Sequence, residues 1–129
     1  MKMDIHELLE TPLPSDNAVE LMELISESEA WGDRIASRMK TAEVQLSRER
    51  SMFDIMWDNS IAQNSKMKVA AMEARARADT ATQREKVEEL EAEIRHLKRL
   101  NSIIENRCSV GQSFLSNISA MIRAGINLN

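Results

Sequence analysis

Apolar residues recur every three or four positions along nearly the whole chain. From Ser15 onward no proline and only three glycines (Gly32, Gly111, Gly125) interrupt them. Proline and glycine are the strongest helix breakers, so this pattern predicts a few very long helices that bury their stripes against one another or against copies of the chain. A first long helix is expected over about 16–57, capped by Ser15 or Asp16. It carries Val19, Met22, Ile25, Ile35, Met39, Ala42, Leu46, Phe53 and Met56 on one broad face. Turn-prone side chains cluster at Trp57-Asp58-Asn59-Ser60 and again at Gln63-Asn64-Ser65, which places a turn within about 58–65. A second long helix follows over about 66–124, and Gly111 permits a break near 109–112. Ahead of these helices, residues 1–14 read as a separate acidic arm. There Ile5, Leu8 and Leu9 share one side of a short helical turn, and Thr11-Pro12-Leu13-Pro14 forces an extended segment. Residues 15–129 are expected to form a single helical domain.

The second half of the last helix has the cleanest repeat. Val87, Leu90, Ile94, Leu97, Asn101, Ile104, Cys108, Gly111, Leu115, Ile118 and Ile122 alternate four- and three-residue steps, the a and d positions of a heptad. Leu100, Phe114 and Met121 add a third apolar column at g, so the seam suits more than one partner helix. The expected fold is therefore all-α, a long helical hairpin of coiled-coil-like helices, assembled into a homo-oligomer above a dimer. Its interface is expected at Val87, Leu90, Ile94, Leu97, Asn101, Ile104, Leu115, Ile118 and Ile122, with Asn101 fixing register.

Composition fits this picture and removes several alternatives. Nine methionines and few aromatics suit helix-on-helix packing, where flexible thioethers fill irregular gaps. No apolar run reaches the roughly 20 residues that cross a bilayer, and no signal peptide is apparent. The single Cys108 allows no intramolecular disulfide and fits a reducing compartment. A soluble, cytoplasmic protein is expected, with no membrane partner. Catalysis finds no support: His6 and His96 lack a metal-ligand or nucleophile companion, the carboxylates at 88–93 suit a solvated helix face, and no glycine-rich phosphate loop occurs. No enzyme, metal or cofactor is expected.

Charge changes the picture more. The net charge is −4, but residues 1–33 hold one basic residue (Lys2) against nine acids, whereas residues 34–86 hold eleven basic residues against seven. Nucleic-acid binding depends on the local field rather than the total. With a turn at 58–65, Arg48 and Arg50 on the outgoing helix come level with Arg75 and Arg77 on the returning one, with Lys66 and Lys68 between them. Such a basic band tracks a phosphate backbone with strong salt dependence and little sequence preference. Trp31 and Trp57 offer surfaces for base stacking, although packing is the commoner role of a tryptophan on such a helix.

The order of these features resembles a known family. An acidic start leads to a helix with Ser28-Glu29-Ala30-Trp31, then to LSRERSMFDIMWDNS ending in a turn. A long charged helix closes with RCSVGQSFLSNISAMIRAG. Over roughly residues 26–125 this is similar to the UvsY recombination mediators of T-even-like phages. Trp57-Asp58-Asn59-Ser60 stands where that family has a tyrosine and a glycine-rich turn. The resemblance implies a ring-like homo-oligomer in the host cell cytoplasm that binds single-stranded DNA. It also implies loading of a RecA-like recombinase onto strands covered by single-strand-binding protein, in homologous recombination and repair. It implies that Arg48 and Arg50 contact DNA and that the segment 87–122 holds the oligomer together; Lys66 and Lys68 come from the charge argument alone. The alternative is a coiled-coil scaffold, assembly chaperone or small inhibitor that acts on proteins through its acidic N-terminal third.

Overall fold

The computed structural model describes residues 3–125. The first two positions of the arm and residues 126–129 of the expected helical domain lie outside them. Four helices and no strand occur among the described residues: α1 (Ile5–Glu10), α2 (Ala18–Gln63), α3 (Val69–Asp79) and α4 (Ala81–Arg123). Among the described residues no helix is long and apolar enough to cross a membrane. The chain divides into two compact units. Unit 1 takes the residues up to Ser37 and those from Lys98 on; unit 2 is Arg38–Leu97.

Short polar side chains set several of the helix ends, although Lys68 opens α3 without a side-chain cap bond. Asp4 caps α1, its Oδ1 accepting from the Glu7 N–H at 2.8 Å. Thr11 closes it, its hydroxyl donating to the Glu7 carbonyl at 2.6 Å just before Pro12. The cap of α2 is Asn17, not Ser15 or Asp16: Asn17 Oδ1 accepts from the Glu20 N–H at 3.1 Å, and Glu20 Oε2 accepts from the Asn17 amide at 3.5 Å. The second contact joins the two side chains, and neither Ser15 nor Asp16 has a glutamate three positions on to make it.

α2 runs through Trp57-Asp58-Asn59-Ser60 and stops only at Gln63, so the turn lies at 64–68 rather than 58–65. Asn64 stops it. Its backbone N–H reaches the carbonyls of Ser60 and Ile61, and its side-chain amide donates to the Ser60 carbonyl at 2.8 Å. Ser60 stays helical because it is buried and its hydroxyl donates to Asp79 Oδ2 at 2.7 Å. The second long helix is interrupted once, at Thr80, not near 109–112. Thr80 is fully buried and its hydroxyl donates to the Ala76 carbonyl at 2.8 Å. That back-bond competes with the helical ladder and marks the boundary between α3 and α4. Past Arg123 the chain leaves the helix through Gly125 at φ +79°, a conformation open to glycine.

Unit 2 is an antiparallel pair with a core of Ala42, Leu46, Leu90 and Ile94, flanked by Met39 and Val87. Gln83 ties the same pair together by donating to the Glu49 carbonyl at 2.9 Å and to the Glu49 carboxylate. In unit 1, Leu21, Ile25 and Ile118 pack with Leu13, Ala18, Phe114 and Leu115. The arm belongs to this unit and is not separate from it. Leu8 is 0% exposed, Trp31 Nε1 donates to the Met3 carbonyl at 2.9 Å, and Arg107 donates to the Thr11 carbonyl at 2.8 Å.

The heptad positions of α4 are covered within the chain. Leu90, Ile94, Leu97, Ile104 and Ile118 are all buried, and Val87, Asn101 and Leu115 are half-buried. Ile122, at 62% exposed, is the exception. α2 of the same chain supplies the partner of Leu90 and Ile94, so a second copy that reaches those side chains must displace it.

Gly111 shows why α4 does not break where glycine permits it. A Cβ there would sit 2.7 Å from Ile25 Cγ1 and 2.8 Å from Ile25 Cδ1, so this glycine serves a close approach of α2. At Gly32 the nearest atom to an added Cβ is Ile104 Cγ2 at 3.4 Å, an ordinary contact. The two positions therefore respond oppositely to alanine. Gly32→Ala stabilises by about 0.5–1 kcal/mol through helix propensity. Gly111→Ala costs about 1–3 kcal/mol through overpacking, which outweighs the same propensity gain. Urea midpoints of the two variants against wild type check both signs.

Candidate nucleic-acid interface

All six predicted DNA-contacting residues lie in unit 2 and all are exposed, but the fold distributes them over separate surfaces. Arg48 and Arg50 are two positions apart on α2, and residues so spaced do not share a helix face. Arg50 turns toward α4 and pairs with Glu91 at 3.1 Å. Arg48 points outward and has no ion pair among the described residues. Arg75 pairs with Asp79 at 3.3 Å and Arg77 with Glu73 at 3.8 Å, both along α3. Lys66 stands in the turn and Lys68 at the extended residue that opens α3, each without an ion pair among the described residues.

The expected alignment of Arg48 and Arg50 with Arg75 and Arg77 is also corrected. Glu49 lies level with Gln83, and Ser60 with Asp79, so the α3 arginines sit toward the Ser60 end of the pair. The later turn and the break at Thr80 account for the shift.

Folding also changes the charge balance. Unit 2 gathers eleven basic residues and eleven acids, because α4 brings Glu88, Glu89, Glu91 and Glu93 back alongside the basic stretch. Arg38 with Glu93 at 3.4 Å and Arg50 with Glu91 are direct results. The whole net charge of −4 therefore resides in unit 1. These exposed pairs contribute only about 0–1 kcal/mol each. A phosphate can take the arginine from its carboxylate at small cost.

Two surfaces flank the cations. On the outer face of α2, Lys40 and Arg48 border open grooves of about 440 and 410 Å³, lined by Thr41, Val44 and Gln45 and by Ser47, Ser51, Met52 and Ile55. No carboxylate lines either groove. On the side facing α4, Arg50, Phe53, Arg84 and Val87 line a groove of about 320 Å³ that also holds Asp54, Glu88 and Glu91. Phe53 stacks with Trp57 at a centroid distance of 6.2 Å, and the Arg84 guanidinium lies 5.8 Å over the Phe53 ring. Trp31 belongs elsewhere: with its N–H on Met3 and Arg34 at 4.8 Å over its ring, it is part of the packing of unit 1.

Sequence reading missed Lys40 and Phe53 as members of these surfaces and counted Arg84 only among the basic residues of the returning helix. The signal for Lys40 was present. Lys40, Val44, Arg48 and Met52 follow one another at four-residue steps, opposite the buried Ala42 and Leu46.

Cys108 lies in unit 1 beside Arg107. Burial, then the nearby Glu29 carboxylate, push its thiol above the usual range, so it stays protonated and a weak nucleophile at neutral pH. Burial also lowers the Arg107 guanidinium from its ordinary value. Its Nε is buried without a hydrogen-bond partner among the described residues, while its terminal nitrogen holds the Thr11 carbonyl. No group of three or more His, Cys, Asp or Glu side chains placed to hold a metal occurs among the described residues.

Comparison of the chain with protein-family models, with curated proteins and with solved structures found no match.

Proposed function

We propose that the protein is an oligomeric, single-stranded DNA-binding accessory factor that helps load a RecA-like recombinase, acting in homologous recombination and repair of the phage type. The observation that carries the reading is the exposure of Arg48, Lys66 and Lys68 on unit 2 with no carboxylate partner among the described residues. Such cations release counterions when they meet phosphates, without first losing an ion pair. Arg50, Arg75 and Arg77 join by exchanging weak carboxylate contacts for phosphate ones. The half-buried Phe53–Trp57 stack supplies ring surface beside Arg50 and Arg84 for an unpaired base. The resemblance to the UvsY mediators supplies the biological setting.

Reversing the three unpaired cations together tests this reading. Arg48→Glu with Lys66→Glu and Lys68→Glu is expected to weaken single-strand binding more than about tenfold and to reduce its salt slope by roughly three phosphate contacts. All three side chains are exposed, so helicity by circular dichroism stays at the wild-type value. Wild-type affinity in the triple variant would remove these residues from the interface.

A second reading has its own observation. The acids of the N-terminal third, among them Glu10, Glu23, Glu29 and Asp33, are exposed, and all four ion pairs among the described residues lie in unit 2. An exposed acidic surface with no basic partner suits a scaffold, chaperone or inhibitor that binds a basic protein partner. No binding of single strands at low salt favours this reading over the first.

A further inference from the structure

Because the apolar line of α4 is covered within the chain, contact between copies needs a different surface, and α2 presents two. Opposite the buried Leu21, Leu24, Ile25 and Ile35, its first half exposes Val19 and Met22 by 69% and 59%. Helical spacing places Glu23, Ser26 and Asp33 on the same face, all exposed. Opposite the buried Ala42 and Leu46, its second half exposes Val44, Met52 and Ile55 by 49%, 51% and 60%, around Lys40 and Arg48. Each stripe joins aliphatic side chains to charges that form no ion pair among the described residues. The two signs are opposite.

We propose that the basic stripe Lys40–Val44–Arg48–Met52–Ile55 of one copy binds the acidic stripe Val19–Met22–Glu23–Asp33 of a second copy. Charge complementarity selects this occupant. Lys40 and Arg48 stand about 12 Å apart along the helix axis and Glu23 and Asp33 about 15 Å, a comparable span on a helix of the same kind. Aliphatic side chains meet aliphatic side chains between the charges, so the contact removes apolar surface from water as well as pairing ions. A phosphate backbone leaves Val44, Met52 and Ile55 exposed, so nucleic acid covers this stripe less completely than a second helix does. The two stripes are different surfaces of α2, so two copies either pair both stripes reciprocally in a closed dimer or each bind a different neighbour in a ring or filament. The proposal takes from the functional reading only that copies associate; in the assembly Arg48 pairs with the acidic stripe, which leaves Lys66 and Lys68 as the unpaired cations of that reading.

Sedimentation velocity without nucleic acid tests it, with the wild type and two charge-reversed forms. The first carries Lys40→Glu and Arg48→Glu and so has two acidic stripes; the second carries Glu23→Lys and Asp33→Lys and has two basic ones. The wild type is expected to sediment above the monomer mass of 14.7 kDa, and each reversed form as a monomer. Mixing the two forms restores association, because each supplies the surface that the other lost. A chain with all four substitutions associates with itself again. A monomeric wild type, wild-type mass in either reversed form, a mixture that stays monomeric, or assembly only on an added oligonucleotide would each overturn the proposal. Single-strand binding in the same samples separates it from the functional reading. The Glu23→Lys, Asp33→Lys form retains every cation of that reading, so a monomer that still binds DNA supports the interface. An assembled wild type that binds no DNA sinks the functional reading and leaves the interface standing.

Discussion

Ile94→Asp combined with Leu97→Asp unfolds the chain. Ile94 and Leu97 are 7% and 3% exposed, and Ile94 packs with Ala42, Leu46 and Leu90 of the same chain. A carboxylate placed there has no cationic partner in that cluster, and an unpaired buried charge costs several kcal/mol. The lost aliphatic packing adds about 2–5 kcal/mol per site. Two such losses exceed the roughly 5–15 kcal/mol that holds a typical domain together, or come close to it. Far-UV circular dichroism is expected to lose most of its helical signal at 25 °C. On the expectation drawn from the heptad alone, the same substitutions would leave folded, dissociated subunits. A helical monomer with wild-type thermal stability would reinstate α4 as an interface between copies and contradict the packing described here.

Leu8→Ala releases the arm. Leu8 is fully buried, and truncating a buried leucine costs about 2–5 kcal/mol. Besides Leu13 in the unit 1 core, the arm is held by three directed bonds, from Trp31 to the Met3 carbonyl, from the Met3 N–H to Glu27 and from Arg107 to the Thr11 carbonyl. Local opening therefore needs less free energy than global unfolding. In a Trp57→Phe background Trp31 is the sole tryptophan. Its emission is expected to shift to the red in Leu8→Ala as the indole loses its carbonyl partner and gains water, while the helical signal falls little. Unchanged emission would mean that the arm is held without Leu8.

The parts of this fold that follow from local chemistry were legible. Absence of proline, scarcity of glycine and a three-to-four-residue apolar repeat led directly to long helices, and the line from Val87 to Ile118 is buried or half-buried at every position. What covers that line was not legible. A heptad records only that some helix packs there, and Leu90 against Leu46 of the same chain leaves the same periodicity as Leu90 against a copy. The turn was misplaced because Asp58, Asn59 and Ser60 carry turn-prone side chains, yet burial of Ser60 and its bond to Asp79 hold them in the helix. Gly111 was read for its flexibility, when its missing Cβ makes room for Ile25. Charge was misread for a related reason. Counting along the chain isolates a basic stretch, while the antiparallel return of α4 sets Glu91 and Glu93 beside Arg50 and Arg38.

The cations proposed to contact DNA fall into two groups. Arg48, Lys66 and Lys68 remain exposed and unpaired among the described residues, Arg50, Arg75 and Arg77 carry weak competitors, and Lys40 and Arg84 join the surfaces beside them. The proposal requires a strand that follows those cations and avoids Glu88, Glu89 and Glu91.

Fluorescence anisotropy of a labelled single-stranded oligonucleotide, titrated with the wild-type chain at about 50 and 200 mM salt beside a duplex of the same length, tests the central claim most directly. The expected result is preference for the single strand, with affinity falling steeply between the two salt concentrations as released counterions require. No change in anisotropy at the lower salt would contradict the claim and leave the acidic surface of unit 1 as the working face of the protein.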